Sequence, residues 1–98
     1  MSIRTMIIDD EPLARERVKR FLRDEDEIEI IGECSNGVDA VGAIKEKKPD
    51  LVFLDIQMPE KNGFEVIRSL SGKYLPTVVF VTAYDQYALQ AFDVHALD

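Results

Sequence analysis

The sequence has little of several things. Its single cysteine, Cys34, cannot form an intramolecular disulfide, which excludes a disulfide scaffold and fits a reducing compartment. Cys34 and the single histidine, His95, give no zinc ligand set. Five glycines and four prolines are far from a collagenous or low-complexity composition. Long apolar runs are also absent. The longest, Leu51–Leu54 and Val78–Val81, are four residues each, against the ~20 that a membrane helix needs. The first residues, Met1–Thr5, lack the apolar stretch of a secretory signal, so the expected location is cytoplasmic, with no membrane association. Basic residues are in the minority, 12 against 19 acidic, and the net charge of −7 disfavours direct contact with nucleic acid or anionic lipid.

What is present is globular: 46% hydrophobic and 32% charged residues in a 98-residue chain, the size of one domain with one modest core. There is no internal repeat or linker, and the acidic run Asp24–Glu27 reads as a solvated loop. Short apolar runs alternate with helical patterns: strands over 5–8, 28–33, 51–54 and 77–81, helices over 13–23, 38–47, 64–70 and 86–92. Four β-α units predict an α/β fold, a doubly wound parallel sheet with helices on both faces. The all-apolar runs 51–54 and 78–81 are written for strands buried on both sides.

At 100° per residue, Ala14, Val18, Phe21 and Leu22 share one arc of the first helix, the expected core side. Arg15, Lys19, Arg20 and Arg23 take the opposite, solvated side. Pro12 suits a first helical position, and the acids before it suit the positive end of the helix dipole. In the last helix Tyr87, Ala88, Ala91 and Phe92 form a core stripe, and Leu89 lies off it as a candidate partner contact. Cys34 reads as a small buried hydrophobe, Met58-Pro59 as the turn leaving the third strand, and Gly63 as a flexible point before the third helix.

Sites in doubly wound sheets form at the carboxyl ends of the strands. Here those ends carry Asp9-Asp10-Glu11, Asp55 and Thr82-Ala83. If the first and third strands are neighbours, about 4.8 Å separates them. Asp9, Asp10 and Asp55 then share one acidic pocket, whose repulsion calls for a cation. All-oxygen ligands match Mg²⁺ or Mn²⁺. Asp9 and Asp10 are the pair suited to hold metal. Asp55, a lone carboxylate at the end of a buried strand, is the better nucleophile toward phosphorus, and Thr82 can donate its hydroxyl to a phosphoryl oxygen.

With Ile7-Ile8-Asp9-Asp10-Glu11, Asp55-Ile56-Gln57-Met58-Pro59 followed by Gly63, and Val81-Thr82-Ala83 in that order, the sequence resembles the receiver domains of bacterial two-component response regulators from residue 3 to the last residue. The resemblance implies a flavodoxin-like sheet of strand order 2-1-3-4. It implies a phosphoryl group taken from a sensor histidine kinase onto Asp55, Mg²⁺ (or Mn²⁺) held by Asp9, Asp10 and Asp55 with the backbone carbonyl of Gln57, and Thr82 as the hydroxyl switch. Activity is then at most self-catalysed phosphotransfer and dephosphorylation. The segments 9–15 and 84–92 look most like receivers that precede a LytTR-type DNA-binding domain, so DNA would be reached only through a domain outside this chain and the output would be transcription.

The family pattern continues into a fifth strand, with an aromatic switch residue and a lysine followed by proline, and a fifth helix. On that pattern residues 1–98 are a C-terminally incomplete receiver, short by roughly 20 residues at usual element lengths. Lys61 and Lys73 read as solvated lysines rather than substitutes for the family lysine. An apolar strand 78–81 left at a sheet edge is expected to drive a homo-oligomer or domain-swapped dimer. The rival reading is a receiver-like interaction and dimerisation module that is not phosphorylated. A hydrolase acting on outside substrates fits less well, since Gln57 stands where an aspartyl phosphatase would carry its second acid.

Overall fold

The computed structural model describes residues 2–70 and 75–81. Thr82, Lys73, His95 and the helix expected over 86–92, with Leu89 and its Tyr87, Ala88, Ala91 and Phe92 stripe, lie outside the described residues.

The chain runs β1 (Ile3–Ile8), α1 (Pro12–Leu22), β2 (Ile28–Cys34), α2 (Gly37–Lys47), β3 (Leu51–Asp55), α3 (Gly63–Ser69) and β4 (Thr77–Val81). The expected elements within this stretch are met to within two residues at each end. The strands form one parallel sheet in the order β2-β1-β3-β4, the flavodoxin-like arrangement. Parallel neighbours need helical crossovers, and each successive pair of strands here is joined by one helix. Among the described residues no helix is long and apolar enough to cross a membrane.

Strand alternation divides the core. Met6, Ile8, Val52, Leu54 and Phe80 point to one face, where Ala40 and Ile44 of α2 and Val66 of α3 close over them. Phe64 stacks its ring, tilted, 5.1 Å from that of Phe80. Ile7 points to the opposite face, where Ala14 and Leu22 of α1 are buried. Along Leu51–Leu54 of β3 burial alternates, Val52 and Leu54 being fully buried and Leu51 and Phe53 half-buried, whereas in β4 Phe80 is buried and Val78, Val79 and Val81 are half-buried. The expectation of strands buried on both sides is therefore met for β3 on the α2/α3 face, where Val52 and Leu54 are fully buried, but not in full for β4, whose Val78 shares that face and is half-buried.

α1 also departs from expectation. Phe21, placed on the core arc by its angle, is 81% exposed. The helix is rolled toward β2, where Arg15 and Lys19 pair with Glu33 at 3.1 and 3.0 Å, and Phe21, 120° round the helix from Arg15, is turned off the sheet. Two of the four supposedly solvated basic residues thus face the sheet. The acidic run 24–27 is exposed, as expected.

Local signals explain the helix starts. Pro12 opens α1, and Glu11 stands at the N-cap as an acid directly before the helix, although its side chain makes no cap hydrogen bond and no acid lies within the first turn. Asn36 caps α2 by accepting from the Asp39 amide at 2.8 Å. Asn62 and Glu65 form a reciprocal capping box on α3. This box fixes where the loop after β3 ends.

Candidate metal and phosphoryl site

β1 and β3 pair in parallel with Ile8 opposite Leu54, so the residues that follow, Asp9 and Asp55, emerge side by side at the carboxyl edge of the sheet. Asp9 is 5% and Asp55 9% exposed, and Asp10 is half-buried. One carboxylate oxygen from each of the three lies within 4.8 Å of the others. They border a cleft of about 290 Å³ to which Glu11, Arg17, Gln57 and Val81 also contribute.

Main-chain contacts hold Asp9 and Asp55. The Asp9 amide donates to the Cys34 carbonyl of β2 (3.1 Å), and its Oδ1 accepts from the Glu11 amide (2.9 Å). Asp55 Oδ1 accepts from the Gln57 amide (3.3 Å). The loop leaving β3 is fastened at both ends: Met58 is buried in the core, and the Gly63 amide donates to the Ile56 carbonyl (2.9 Å). A Cβ at Gly63 would sit 2.5 Å from the Asp55 carbonyl oxygen. Glycine is needed there for close approach to the Asp55 main chain, rather than as a flexible point.

No ion pair reaches these acids among the described residues. Burial, and then the negative charge of Asp9, push the Asp55 carboxyl up to about 7, with the Gln57 amide working the other way. Burial raises Asp9 too, the Glu11 amide opposing and the Asp10 charge adding. Three carboxylates so placed form an electrostatically frustrated cluster.

That frustration, and an all-oxygen donor set, fit a hard divalent cation. An octahedral ion with bonds of 2.0–2.1 Å spaces its ligand oxygens about 2.9 to 4.2 Å apart, close to the observed span. Waters would complete the shell.

Lys61 is not aimed at the acids; its ammonium donates to Ser69 Oγ at 2.8 Å. Cys34 is half-buried against the core, and burial raises its thiol pKa, which keeps the sulfur protonated. Arg15, read from sequence as part of a solvated face, was missed: its Nη1 donates to the Asp9 carbonyl at 2.7 Å.

Comparison with known proteins agrees with this architecture. Over 96 residues the chain is 50% identical to the transcriptional regulatory protein BtsR of Escherichia coli strain K12, covering 98% of this chain and 40% of that protein. It is 52% identical to an uncharacterized response regulatory protein of Shewanella oneidensis, covering 98% and 41%. The chain thus spans about 40% of the length of these relatives. Among solved structures, the response regulatory domain of protein mrkE from Klebsiella pneumoniae superposes with a TM-score of 0.80 at 30% identity, over 97% of this chain and 79% of that one. The response regulator domain of Thermotoga maritima CheB gives 0.78 at 28% identity, over 92% and 72%. The family model for the response regulator receiver domain matches residues 5–98, and the chain belongs to that family.

Proposed function

We propose that this chain is a phosphoacceptor that takes a phosphoryl group from a histidine kinase onto Asp55. The observation that carries the reading is the burial of Asp55 at the end of β3 within 4.8 Å of two further carboxylates. A carboxylate oxygen of Asp55 attacks phosphorus, the bond from phosphorus to the donor's imidazole nitrogen breaks, and that nitrogen regains its lone pair. Asp9, Asp10 and Asp55, with the Gln57 carbonyl, hold Mg²⁺ or Mn²⁺. The ion supplies positive charge that offsets the charge on the transferred oxygens. Thr82 donates its hydroxyl to one of those oxygens. Asp55 must be ionised to attack, and its raised pKa means that part of the metal-free population is protonated at neutral pH.

The likeness to a transcriptional regulatory protein supports an output in transcription, through a DNA-binding domain of LytTR type outside this chain. A cytoplasmic location follows from that role. The test is an incubation with acetyl phosphate and Mg²⁺, read by intact mass. An adduct of one phosphoryl group in the wild type and none in Asp55→Asn is expected; a wild type that stays unmodified, or an adduct surviving in Asp55→Asn, overturns the reading.

A second reading rests on β4, the last strand of the described sheet, with Val78, Val79 and Val81 half-buried. Pairing of two copies along this edge would make the chain an association module, as a homo-oligomer or a swapped dimer. Sedimentation velocity over a concentration series tests it: a monomer throughout rules it out.

A further inference from the structure

Asp9 is gripped from a direction that the phosphoacceptor reading does not use. Arg15, one turn into α1, has an 18% exposed side chain and makes two contacts: Nη1 donates to the Asp9 carbonyl at 2.7 Å, and Nε donates to Glu33 Oε1 of β2 at 3.1 Å. Glu33 is held in turn by Lys19 Nζ at 3.0 Å, and Lys19 also reaches Glu16 at 2.9 Å. The Asp9 main chain is therefore fixed on both sides, its amide by the Cys34 carbonyl and its carbonyl by an arginine whose planar fork is itself oriented by a second partner. With the peptide plane set, the Glu11 amide sets the carboxylate.

We propose that Arg15, oriented by Glu33, is a positioning residue for the acidic cluster, presenting the Asp9 carboxylate to a divalent cation without touching the ion. This rests on the reading of the cluster as a Mg²⁺ site. Groups that orient a metal ligand typically change metal affinity 10- to 100-fold when removed. Sign separates positioning from plain electrostatics. Arg15 brings positive charge beside the cluster, so on charge alone its removal would tighten Mg²⁺ binding. On the positioning account, removal weakens it.

Arg15→Lys tests the same point at constant charge. An ammonium is a single compact donor head and cannot reproduce the fork that spans Asp9 and Glu33. Glu33→Gln keeps the carbonyl contact but loosens its orientation.

The experiment is calorimetric titration of the 98-residue chain with Mg²⁺, checked by Mn²⁺ electron paramagnetic resonance, for wild type, Arg15→Ala, Arg15→Lys and Glu33→Gln. A Kd raised about 10-fold in Arg15→Ala is expected, with smaller rises in the other two. The metal-free proteins are compared by the ¹⁵N shift of the Asp10 amide, which shares its peptide group with the Asp9 carbonyl. That resonance should move in Arg15→Ala and move less in Arg15→Lys. An unchanged or lower Kd in Arg15→Ala overturns the proposal, as does a wild-type Kd in Arg15→Lys should the alanine variant fail to fold. Wild type that takes up no Mg²⁺ overturns the metal reading and the proposal together, whereas tight wild-type binding with indifferent variants overturns the proposal alone.

Discussion

Replacing Asp55 by asparagine should stabilise the metal-free protein, and only above a definite pH. The Asp55 carboxyl has an ordinary value of 3.8 and is pushed up to about 7 in the fold, chiefly by burial and then by Asp9. Below the ordinary value both folded and unfolded states hold the proton, and the group contributes nothing. Between about 4 and 7 the unfolded chain has released its proton while the folded one keeps it, so stability falls as pH rises. Above about 7 both are ionised, and the full penalty of a buried, crowded carboxylate remains. A displacement of about three pH units, at about 1.4 kcal/mol each, sets an upper limit of about 4 kcal/mol. Water entering the open cleft reduces this, so a gain of about 1 to 3 kcal/mol at pH 8 is expected. Asparagine keeps the shape and the acceptor that receives the Gln57 amide while removing the charge. The assay is urea unfolding followed by circular dichroism, in EDTA, at pH 8 and at pH 4.5. Asp55→Asn should be more stable than wild type at pH 8 and nearly equal to it at pH 4.5. Mg²⁺ at pH 8 should narrow the gap by stabilising wild type more. An equal gain at both pH values would refute the electrostatic account and assign the effect to packing.

Gly37→Ala should destabilise by about 1 to 3 kcal/mol, because a Cβ there would run into the Lys61 carbonyl oxygen and come within 2.9 Å of the Lys61 Cβ; wild-type stability in urea would show that α2 and the loop after β3 can separate freely. Gly42→Ala in the same helix, with nothing within 4 Å of the new methyl, should instead stabilise by about 0.5 to 1 kcal/mol, and a loss would contradict the open space found there. Asn62→Ala removes the capping box of α3 and should cost about 1 kcal/mol in the same assay; no loss would mean that packing alone places this helix.

The alternation of short apolar runs with helical patterns was enough to place seven elements and the parallel class, because period 2 and period 3.6 are local properties of the chain. Rotation about a helix axis is not local. Ala14, Val18, Phe21 and Leu22 do share an arc, yet which edge of that arc meets the sheet is decided by Glu33, 18 residues beyond Arg15, whose carboxylate draws Arg15 and Lys19 inward and leaves Phe21 outside. A basic residue at the margin of an apolar arc is ambiguous in sequence for this reason. It snorkels outward by default and turns inward only when a distant strand offers an anion.

The same distinction separates what was legible at the cluster from what was not. Asp9, Asp10 and Asp55 are announced by their positions directly after strands, a rule of topology that needs no coordinates. The supports behind them depend on register: Cys34 meets Asp9 because β2 pairs with β1 through a register shift between Thr5 and Met6. Without that shift the partners along β2 would be displaced by one residue, and Cys34, now opposite Ile8, would no longer stand there. The acids were written in the sequence, but their scaffold depends on an irregularity in strand pairing that no composition or periodicity reveals.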